Sequence, residues 1–529
     1  MKKYNPYLPI WFALVLAGGI LLGIFLGNRT GDLNPFAAGK DKLKEVVNYV
    51  HDNYVDTMSR KVIEEKAING LLEKLDPHSV YISADDFHSA NDPLLGSFDG
   101  IGVQFRIEND TVTVIIPVSG GPSEKLGIRA GDRIVKVDGK NIAGIKISTN
   151  DVMRKLKGPK GTKVRVSIFR RGTGGLVDFT ITRDEIPTYS VDISYMAKPG
   201  IGYIRLSNFS KSTHEEVHKA LKTLLKAGMK KLILDLRGNG GGYLQAAIDV
   251  ADEFLGKGEL IVYTQGMHHE REVANATSEG LFESGELVVM VDEGTASAAE
   301  IVSGAIQDHD RGTILGRRTF GKGLVQEQLD FKDGSALRLT VSRYYTPTGR
   351  CIQKSYKDGL EVYNSDYYHR FMSGELEHQD SIKFPDSLKF KTPRGKTVYG
   401  GGGIMPDIYV PIEKDTALRY YNLCINKGLV YQYAFDYTDR NRLQMLRFKN
   451  AEQFGRGFTV SEPIYSEFVS YADKKGVKRA GTDLQKSDVY IKTMMKAYIG
   501  RNLLDNPGFY PILNTIDPAF NRALKELTK

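Results

Sequence analysis

The feature that most constrains this chain is an alternation of strands and helices between residues 201 and 350. Apolar runs of strand length, such as Lys231–Leu236, are followed by segments of helical character near 213–227, 243–255 and 296–308. Strands that alternate with helices in this way form sheets covered by helices. The sequence therefore predicts a layered βα core in this part of the chain.

Three other regions have different patterns. Residues 96–184 contain short, alternating, β-branched segments between Gly-rich turns, with a short helix around Asp151–Leu156, which indicates a compact β domain. Residues 40–95 and the Tyr-rich tract after about 415 show helical spacing. With 529 residues in the chain, and about 150 residues in a typical domain, we expect an α+β multidomain protein.

Composition excludes several classes of protein. The net charge of +8 comes from 72 basic and 64 acidic residues without a dense basic block, which argues against nucleic-acid binding. Hydrophobic residues make up 41% of the chain, which excludes wholesale disorder. Two cysteines cannot form a disulfide framework or a Cys-ligated zinc site. Cys351 and Cys424 are expected to be buried thiols, although one bridge between them is possible.

The N-terminal residues 1–30 predict a membrane anchor. Residues 8–27 carry no charge and follow two lysines, and a helix of that length is about 30 Å long, enough to cross a bilayer core. No small-residue cleavage site follows, so an uncleaved anchor with a cytoplasmic N-terminus is favoured over a cleaved signal peptide. The charge asymmetry is weak, because Arg29 and several lysines follow the apolar segment.

A glycine-rich loop follows the predicted strand that ends at Leu236. Four of the five residues from 238 to 242 are glycine, and a helix is predicted directly after them. Exposed N–H groups at a helix N-terminus bind anions or a developing oxyanion. Tyr243 occupies the position where a dinucleotide fingerprint requires glycine. We therefore predict an anion or oxyanion site here in preference to a simple tight turn.

Ser297 is the candidate nucleophile. It lies among small residues at the start of a predicted helix, directly after an apolar strand, where the helix end favours negative charge. The same position suits a Ser that merely caps the helix. The chain contains no G-x-S-x-G motif.

Lys322 is the candidate base, since no histidine has flanking sequence that singles it out. Lys322 lies between two glycines, which let the backbone pack closely around it. A Lys base must be neutral, so its pKa must fall from about 10.4 towards 7.5. Burial would supply this change, Arg317 and Arg318 would add repulsion, and Gln326 would orient the amine without restoring its charge.

Residues 214–218 match the H-E-x-x-H pattern of zinc proteases, with His214 and His218 as ligands. The alternative is an ordinary helix start with acidic residues in its first turn. No third ligand is evident from spacing, although His268 and His269 are conceivable.

Residues 316–323 nearly match a phosphate-binding Walker A loop. The position after Lys322 should be Ser or Thr and is Gly323, and the following residues favour a strand over a helix. Nucleotide binding is therefore not expected.

Together these segments resemble the carboxy-terminal processing proteases, also called tail-specific proteases, over roughly residues 40–410. The matching stretches are LDPHSVYIS (75–83), FDGIGVQF (98–105), GPSEKLGIRAGDRIVKVDG (121–139), LDLRGNGGG (234–242), DEGTASAAE (292–300), GRRTFGKGLVQ (316–326) and GGGIMPDI (401–408). The resemblance implies that Ser297 is the nucleophile, Lys322 the base and Gln326 the residue that orients Lys322. The order of the residues and the Ser-to-Lys interval of 25 residues fit the family.

The resemblance also implies a PDZ domain at 96–184 and a crotonase- or ClpP-like βα core. The N–H groups of Ile101, Gly102 and Val103 would receive the α-carboxylate of a peptide, which adds as a strand to the sheet edge. The N–H groups of Ala298 and of a glycine from 240–242, with Gly241 preferred, would hold the oxyanion.

The expected organisation has five parts: an anchor at 1–30, a helical region at 40–95, a PDZ domain at 96–184, a protease core at 185–414 and a helical extension at 415–529 whose role is open. The expected protein is a serine endopeptidase that selects substrates by their C-termini. It would need no metal or other cofactor and would lie in a bacterial inner membrane as a single-pass protein with its catalytic part in the periplasm. A homo-oligomer is possible. The alternatives are a catalytically silent PDZ scaffold and a zinc protease that uses His214 and His218.

Overall fold

The computed structural model describes residues 7–29, 41–413, 415–480 and 484–529. The chain divides into two compact units, 1–74 and 75–529. The helices of the first unit are α1 (Leu8–Arg29), α2 (Lys42–Asn53) and α3 (Arg60–Leu72).

The predicted membrane anchor at 1–30 is not supported. A search of the described residues finds no helix with the length and apolar character that a membrane span requires. Residues 1–6 and 30 of the predicted anchor lie outside the described residues.

The second unit begins with a short strand that helical spacing did not predict. Its first elements are β1 (Val80–Ile82) and α4 (Phe87–Leu95). β1 pairs antiparallel with a strand more than 250 residues later, Val80 standing opposite Arg338. Three residues of strand in a helical neighbourhood carry too little periodicity to be recognised.

Residues 97–187 form the β domain that the alternating pattern predicts. Its elements are β2 (Ser97–Gly100), β3 (Val103–Glu108), β4 (Thr111–Pro117), α5 (Pro122–Lys125), β5 (Arg133–Val137), β6 (Lys140–Asn141), α6 (Thr149–Leu156), β7 (Lys163–Phe169), β8 (Leu176–Thr182) and β9 (Asp184–Pro187). The main sheet has the order β3-β4-β5-β7-β8, so β3 is an edge strand, and β2 pairs with β9 separately. Val112, Ile134 and Val166 are fully buried in its core.

The helices and strands of the βα core follow, and they include those predicted between residues 201 and 350. These are β10 (Val191–Lys198), β11 (Ile201–Leu206), α7 (Thr213–Lys226), β12 (Lys231–Asp235), α8 (Leu244–Asp252), β13 (Leu260–Gln265), β14 (Glu272–Asn275), β15 (Glu286–Val291), α9 (Ala298–Asp308), β16 (Thr313–Gly316), β17 (Leu324–Asp330), β18 (Ala336–Tyr345), α10 (Leu360–Asn364), α11 (Asp366–Met372), β19 (Lys389–Lys391), β20 (Thr397–Tyr399) and β21 (Ile408–Tyr409).

The main sheet of the core has the order β10-β11-β12-β15-β16-β21. Its strands from β11 onward run parallel, and β10 is an antiparallel edge. Both faces are covered: Leu232 and Leu234 pack in a cluster with α7, α8 and α9, whereas Ile233 packs on the opposite face with Phe520. This two-sided burial is why the strands read as continuous apolar runs.

A second, antiparallel sheet lies beside this layer. Its order is β1-β18-β13-β14, with β17 also paired to β18. Its strand β13 falls within the predicted βα rhythm but pairs antiparallel with β18. The local pattern indicates that a segment is a strand, but it does not determine which strand it pairs with.

The tract after 415 is helical, as predicted. Its helices are α12 (Arg419–Asn426), α13 (Leu429–Arg440), α14 (Arg442–Met445), α15 (Ala451–Gly457), α16 (Glu462–Lys474), α17 (Gln485–Leu504), α18 (Asn506–Leu513) and α19 (Pro518–Leu527). Tyr420 and Tyr433 are buried in a core of its own. The extension also contacts both neighbouring domains: Arg106 of β3 lies 3.9 Å from the ring centre of Tyr431, and α19 covers the main sheet. Cys424 and Cys351 are free thiols.

Candidate active site

The glycine-rich loop 237–242 leaves the carboxyl end of β12 and is anchored by Asp235. This carboxylate is fully buried. It accepts hydrogen bonds from Tyr203 Oη at 2.7 Å, Arg205 Nη1 at 3.0 Å and Arg237 Nη2 at 2.7 Å. Burial by itself would raise the pKa of Asp235, but Arg237 and Arg205 lower it to about 2. The start of the loop is therefore held by a buried, ionised carboxylate.

Asn239 joins this loop to the next one along the sheet edge. Its amide donates to Leu206 O at 2.9 Å, and its backbone carbonyl accepts from Ala296 N–H at 2.9 Å. Gly241 packs directly against the Ser297 segment, because a β-carbon at Gly241 would lie 2.7 Å from Ser297 Cβ. The two segments that the sequence proposed as oxyanion site and nucleophile are therefore adjacent.

Ser297 lies between β15 and α9 in a strained conformation. Its φ of 55° and ψ of −117° lie in a region that L-residues rarely adopt. Strained residues of this kind persist only where the surroundings hold them. Ala298 N–H is at the first turn of α9, and no residue within the described ranges accepts a hydrogen bond from it. The helix thus presents a free donor beside Ser297.

The Gly241 N–H is already engaged. It donates to Asn239 Oδ1 at 2.9 Å, while the Gly241 carbonyl accepts from Phe209 N–H at 2.9 Å. The positive φ of 95° at Gly241 and the lack of space for a β-carbon both require glycine there.

Glu300 connects the Ser297 segment to the Lys322 loop. Its carboxylate is fully buried. Oε2 accepts from Ser297 N–H at 2.9 Å and from Lys322 N–H at 2.8 Å. Oε1 accepts from Gly321 N–H at 2.8 Å and from Thr319 Oγ1 at 2.5 Å. One side chain thus fixes the backbone on both sides of the site.

Tyr344 makes a second connection between the same two segments. Its hydroxyl lies 3.1 Å from Ser297 O and 2.7 Å from Lys322 O, and its ring is buried.

Burial raises the pKa of Glu300 to about 7, since four hydrogen bonds offset only part of the desolvation. Sequence reasoning missed Tyr344 and the role of Glu300, although Glu300 falls within the DEGTASAAE stretch.

Ser297 and Lys322 line the same cavity of about 780 Å³, together with Gly241, Ala298 and Gln326. Its position at the carboxyl ends of β12 and β15 is the usual place for a site in a parallel sheet. Burial lowers the pKa of Lys322, and the Arg338 guanidinium lowers it further.

The prediction that Arg317 and Arg318 lower the pKa of Lys322 by charge repulsion was wrong. Arg317 forms an ion pair with Glu293 at 2.7 Å, and Arg318 forms one with Glu375 at 2.7 Å. Each charge is therefore balanced by a neighbour. Arg338, which lines the cavity from β18, acts on Lys322 instead.

Gln326 lines the cavity on β17, one residue after an irregularity in the strand register. Its Nε2 donates to Thr340 Oγ1 at 3.2 Å, and Thr340 Oγ1 donates to Asp76 Oδ1 at 3.0 Å. No hydrogen bond joins Gln326 to Lys322 in the described part of the chain. Its predicted role in orienting Lys322 stays a prediction.

His78 is a cavity residue that the search for a histidine base did not find. It lies in the LDPHS stretch, and its Nε2 is 2.8 Å from Tyr363 Oη. Burial and the charge of Lys322 lower the pKa of His78 to about 4. His78 is therefore neutral at pH 7.

The H-E-x-x-H segment at 214–218 lies away from the cavity, and the Walker-like loop at 316–323 is not followed by the helix that a phosphate-binding loop requires. His214 and His218 are on α7, outside the set of residues that line the cavity. A third potential ligand, Glu253, lies beside them, whereas His269 lines the cavity. The Walker-like loop is followed by β17, a strand, as the sequence predicted.

The segment Ile101–Val103 connects β2 to the start of β3 in the β domain. The carbonyls of Ile101 and Gly102 accept from Ser123 N–H at 3.2 Å and Val118 N–H at 2.9 Å. No residue described by the structure accepts from the N–H groups of Ile101 or Gly102. Gly102 has a φ of 71°, a left-handed conformation that glycine adopts without strain, and the loop curves sharply where these two donors lie.

Comparisons with family models match three parts of the chain. "Peptidase family S41" matches residues 200–361, "PDZ domain" matches 114–170, and a "Family of unknown function (DUF8443)" matches 420–505. The first two matches lie over the cavity-forming core and the β domain, and the third lies in the helical extension.

Three similar proteins are named as C-terminal processing proteases. The carboxy-terminal-processing protease of Bartonella bacilliformis is 38% identical over 319 residues, which cover 58% of this chain and 71% of that protein. The carboxy-terminal processing protease CtpA of Bacillus subtilis is 36% identical over 315 residues, covering 59% and 66%. A solved structure of a photosystem II D1 C-terminal processing protease is 29% identical, with a TM-score of 0.37, over 70% of this chain and 87% of that one.

Replacement of Glu300 by Gln tests its structural role. The substitution turns an amide NH₂ towards N–H groups that now donate to a carboxylate oxygen, which we expect to cost about 2–4 kcal/mol. Thermal unfolding should show a Tm lower by about 5 °C. Glu327→Gln, at an exposed position of β17, is the control and should leave the Tm unchanged. Equal Tm values for Glu300→Gln and the wild type would contradict the role assigned to Glu300.

Proposed function

We propose that this chain, which belongs to the family of carboxy-terminal processing proteases and is a serine-type peptidase, cleaves peptide bonds with Ser297 as nucleophile and Lys322 as general base. The observation that carries the proposal is the position of the two residues. Both line one cavity, and the buried carboxylate of Glu300 binds the backbone N–H of each.

In the proposed reaction, neutral Lys322 takes the proton of the Ser297 hydroxyl as the oxygen attacks the scissile carbonyl. Lys322 then gives this proton to the leaving amine, which leaves an acyl group on Ser297. A water molecule, deprotonated by the same amine, hydrolyses the acyl-enzyme. The lowered pKa of Lys322 supports this role, because only the neutral amine accepts a proton.

The tetrahedral oxyanion would be held by the N–H groups of Ala298 and Gly241. The free N–H of Ala298 at the start of α9 supports the first assignment. Gly241 would exchange its hydrogen bond to Asn239 Oδ1 for one to the oxyanion once substrate is bound. The second donor thus requires a local change in the loop, whereas the first is already in place.

Substrate selection would occur at the PDZ domain, where the chain end of a substrate binds. Free N–H groups at Ile101 and Gly102, followed by Val103 on the edge strand β3, support recognition of an α-carboxylate. The extended peptide would add to the open edge of β3.

Two alternative functions are less well supported. A silent scaffold would have no need of a half-buried Lys and a strained Ser that line one cavity. A zinc protease would need His214 and His218 at the substrate cavity, and neither lines it.

The first prediction from the proposed function concerns the catalytic dyad. Ser297→Ala and Lys322→Ala should each lower kcat by at least about 10³-fold, because removing either member removes the activated nucleophile. Hydrolysis of a fluorogenic peptide, with circular dichroism as a check on folding, measures this. Lys357→Ala, at an exposed position, is the control and should remain active. Loss of wild-type activity in EDTA with recovery in zinc would instead favour the His214 and His218 alternative.

The second prediction concerns pH. Because burial lowers the pKa of Lys322 below its usual value, kcat/KM should rise with pH through that lowered pKa and then level off. Activity is lost as the pH falls and Lys322 becomes protonated. Lys322→Arg should be inactive at every pH, since Arg remains charged. A flat profile between about pH 5 and 9 would argue against Lys322 as the base.

The third prediction concerns peptide binding. Gly102→Val places a β-carbon 3.0 Å from Ile186 Cδ1 at a φ of 71°, so the carboxylate loop must change shape. The affinity for a peptide with a free C-terminus should fall by about tenfold or more, as measured by fluorescence anisotropy. Gly174→Val in the same domain meets no atom within 4 Å and is the control. Equal binding of amidated and free-carboxylate peptides to the wild type would disprove C-terminus recognition.

The proposal also includes a location at a bacterial inner membrane, with the catalytic part in the periplasm. It further includes a crotonase- or ClpP-like fold of the core and a homo-oligomeric state. The uncharged residues 8–27 support the location. The full chain should stay with membranes after an alkaline carbonate wash, and a chain that lacks residues 1–30 should be released. Release of the full chain by the wash would contradict a membrane span.

A further inference from the structure

Three potential ligands meet on the surface of the protease core, outside the residues that line the cavity. His214 and His218 lie one turn apart on α7, and Glu253 follows α8. His214 Nε2 is 3.0 Å and His218 Nδ1 is 2.7 Å from Glu253 Oε1. One ligand atom from each of the three residues lies within 4.8 Å of the others.

The Glu253 carboxylate is buried, although the two histidines beside it are partly exposed at the surface. Its side chain is only 2% exposed, while the two imidazoles are 41% and 39% exposed. The other carboxylate oxygen, Oε2, accepts from Leu281 N–H at 2.9 Å, which fixes the orientation of the group. In the described part of the chain no Lys or Arg forms an ion pair with Glu253. A buried carboxylate is either paired with a charge or bound to a metal ion, and the only groups of this kind beside Glu253 in the described residues are the two imidazoles, which can share a metal ion with it.

We propose that His214, His218 and Glu253 bind a divalent transition-metal ion of the zinc class. Two imidazole nitrogens and one carboxylate oxygen form a donor set that zinc accepts. A tetrahedral ion with bonds of about 2.0–2.1 Å holds its ligands about 3.3 Å apart, close to the 3.0 and 2.7 Å that separate Glu253 Oε1 from the two nitrogens. A small outward rotation of the exposed imidazoles would admit the ion, with water as fourth ligand.

The site would connect two helices and take no part in peptide cleavage. α7 supplies both imidazoles, and the residue that ends α8 supplies the carboxylate, so the ion would crosslink neighbouring elements that cover one face of the main sheet. The ligands of the ion are absent from the cavity that contains Ser297 and Lys322. Metal binding and the proposed cleavage reaction are therefore independent.

The test is zinc binding by the full chain, purified without a metal-affinity tag and treated with chelator. Competition with a chromogenic zinc indicator gives the stoichiometry and affinity. Variants His214→Ala and His218→Ala remove one exposed ligand each, and Glu253→Gln keeps the shape of the carboxylate but removes its charge. His88→Ala, an exposed histidine elsewhere in the same unit, is the matched control.

We expect the wild type and His88→Ala to bind one equivalent of zinc per chain, and each ligand variant to bind at least about tenfold more weakly. Cobalt(II) should give the visible absorption bands of a tetrahedral ion in the wild type and lose them in His218→Ala. The cleavage activity of His218→Ala should equal that of the wild type. Absence of stoichiometric zinc binding by the wild type, or wild-type affinity in all three ligand variants, would overturn the proposal whether or not the chain cleaves peptides.

Discussion

The buried carboxylate of Glu300 is the interaction on which the site depends. Ser297 ends one loop and Lys322 lies in another, and neither loop has regular structure that would fix its backbone. Glu300 accepts an N–H from each, at 2.9 and 2.8 Å. Tyr344 then joins the carbonyls of the same two residues. Because a buried carboxylate must be fully hydrogen-bonded to be tolerated, the arrangement that stabilises Glu300 also fixes the backbone at Ser297 and at Lys322.

The parallel sheet provides the frame for these loops. Its carboxyl edge places the glycine-rich loop after β12 beside the Ser297 loop after β15, and Asn239 connects them. The helical extension covers the face of the main sheet that lies opposite α7, α8 and α9. Phe520 of α19 packs on the sheet, and Asp517 lies 2.7 Å from Arg237, the residue that precedes the glycines. Nothing in the sequence indicated what the helical extension does. In the structure it supports the sheet and the loop that form the site.

Sequence patterns predicted local structure well and long-range pairing poorly. The apolar period located α7, α8 and α9 and, of the main sheet, the strands β11, β12, β15 and β16, since both kinds of element follow from local burial. β1 and the antiparallel pairing of β13 were missed because the partners lie far away in the chain. In the site, Ser297, Lys322 and the glycine loop were found from composition and resemblance. Arg338 in this site and Glu253 in the separate cluster with His214 and His218 were not found, because their importance comes only from what the fold places next to them.

The most direct test of the central claim is the rate at which a fluorophosphonate probe labels Ser297, located by mass spectrometry of the digested protein. Such probes react with a serine whose hydroxyl is activated by a neighbouring base. The account predicts labelling at Ser297 in the wild type, at a rate that falls as Lys322 becomes protonated, and almost none in Lys322→Met, which keeps the bulk of the side chain without the amine. Labelling of Ser297 in Lys322→Met at the wild-type rate would contradict the account.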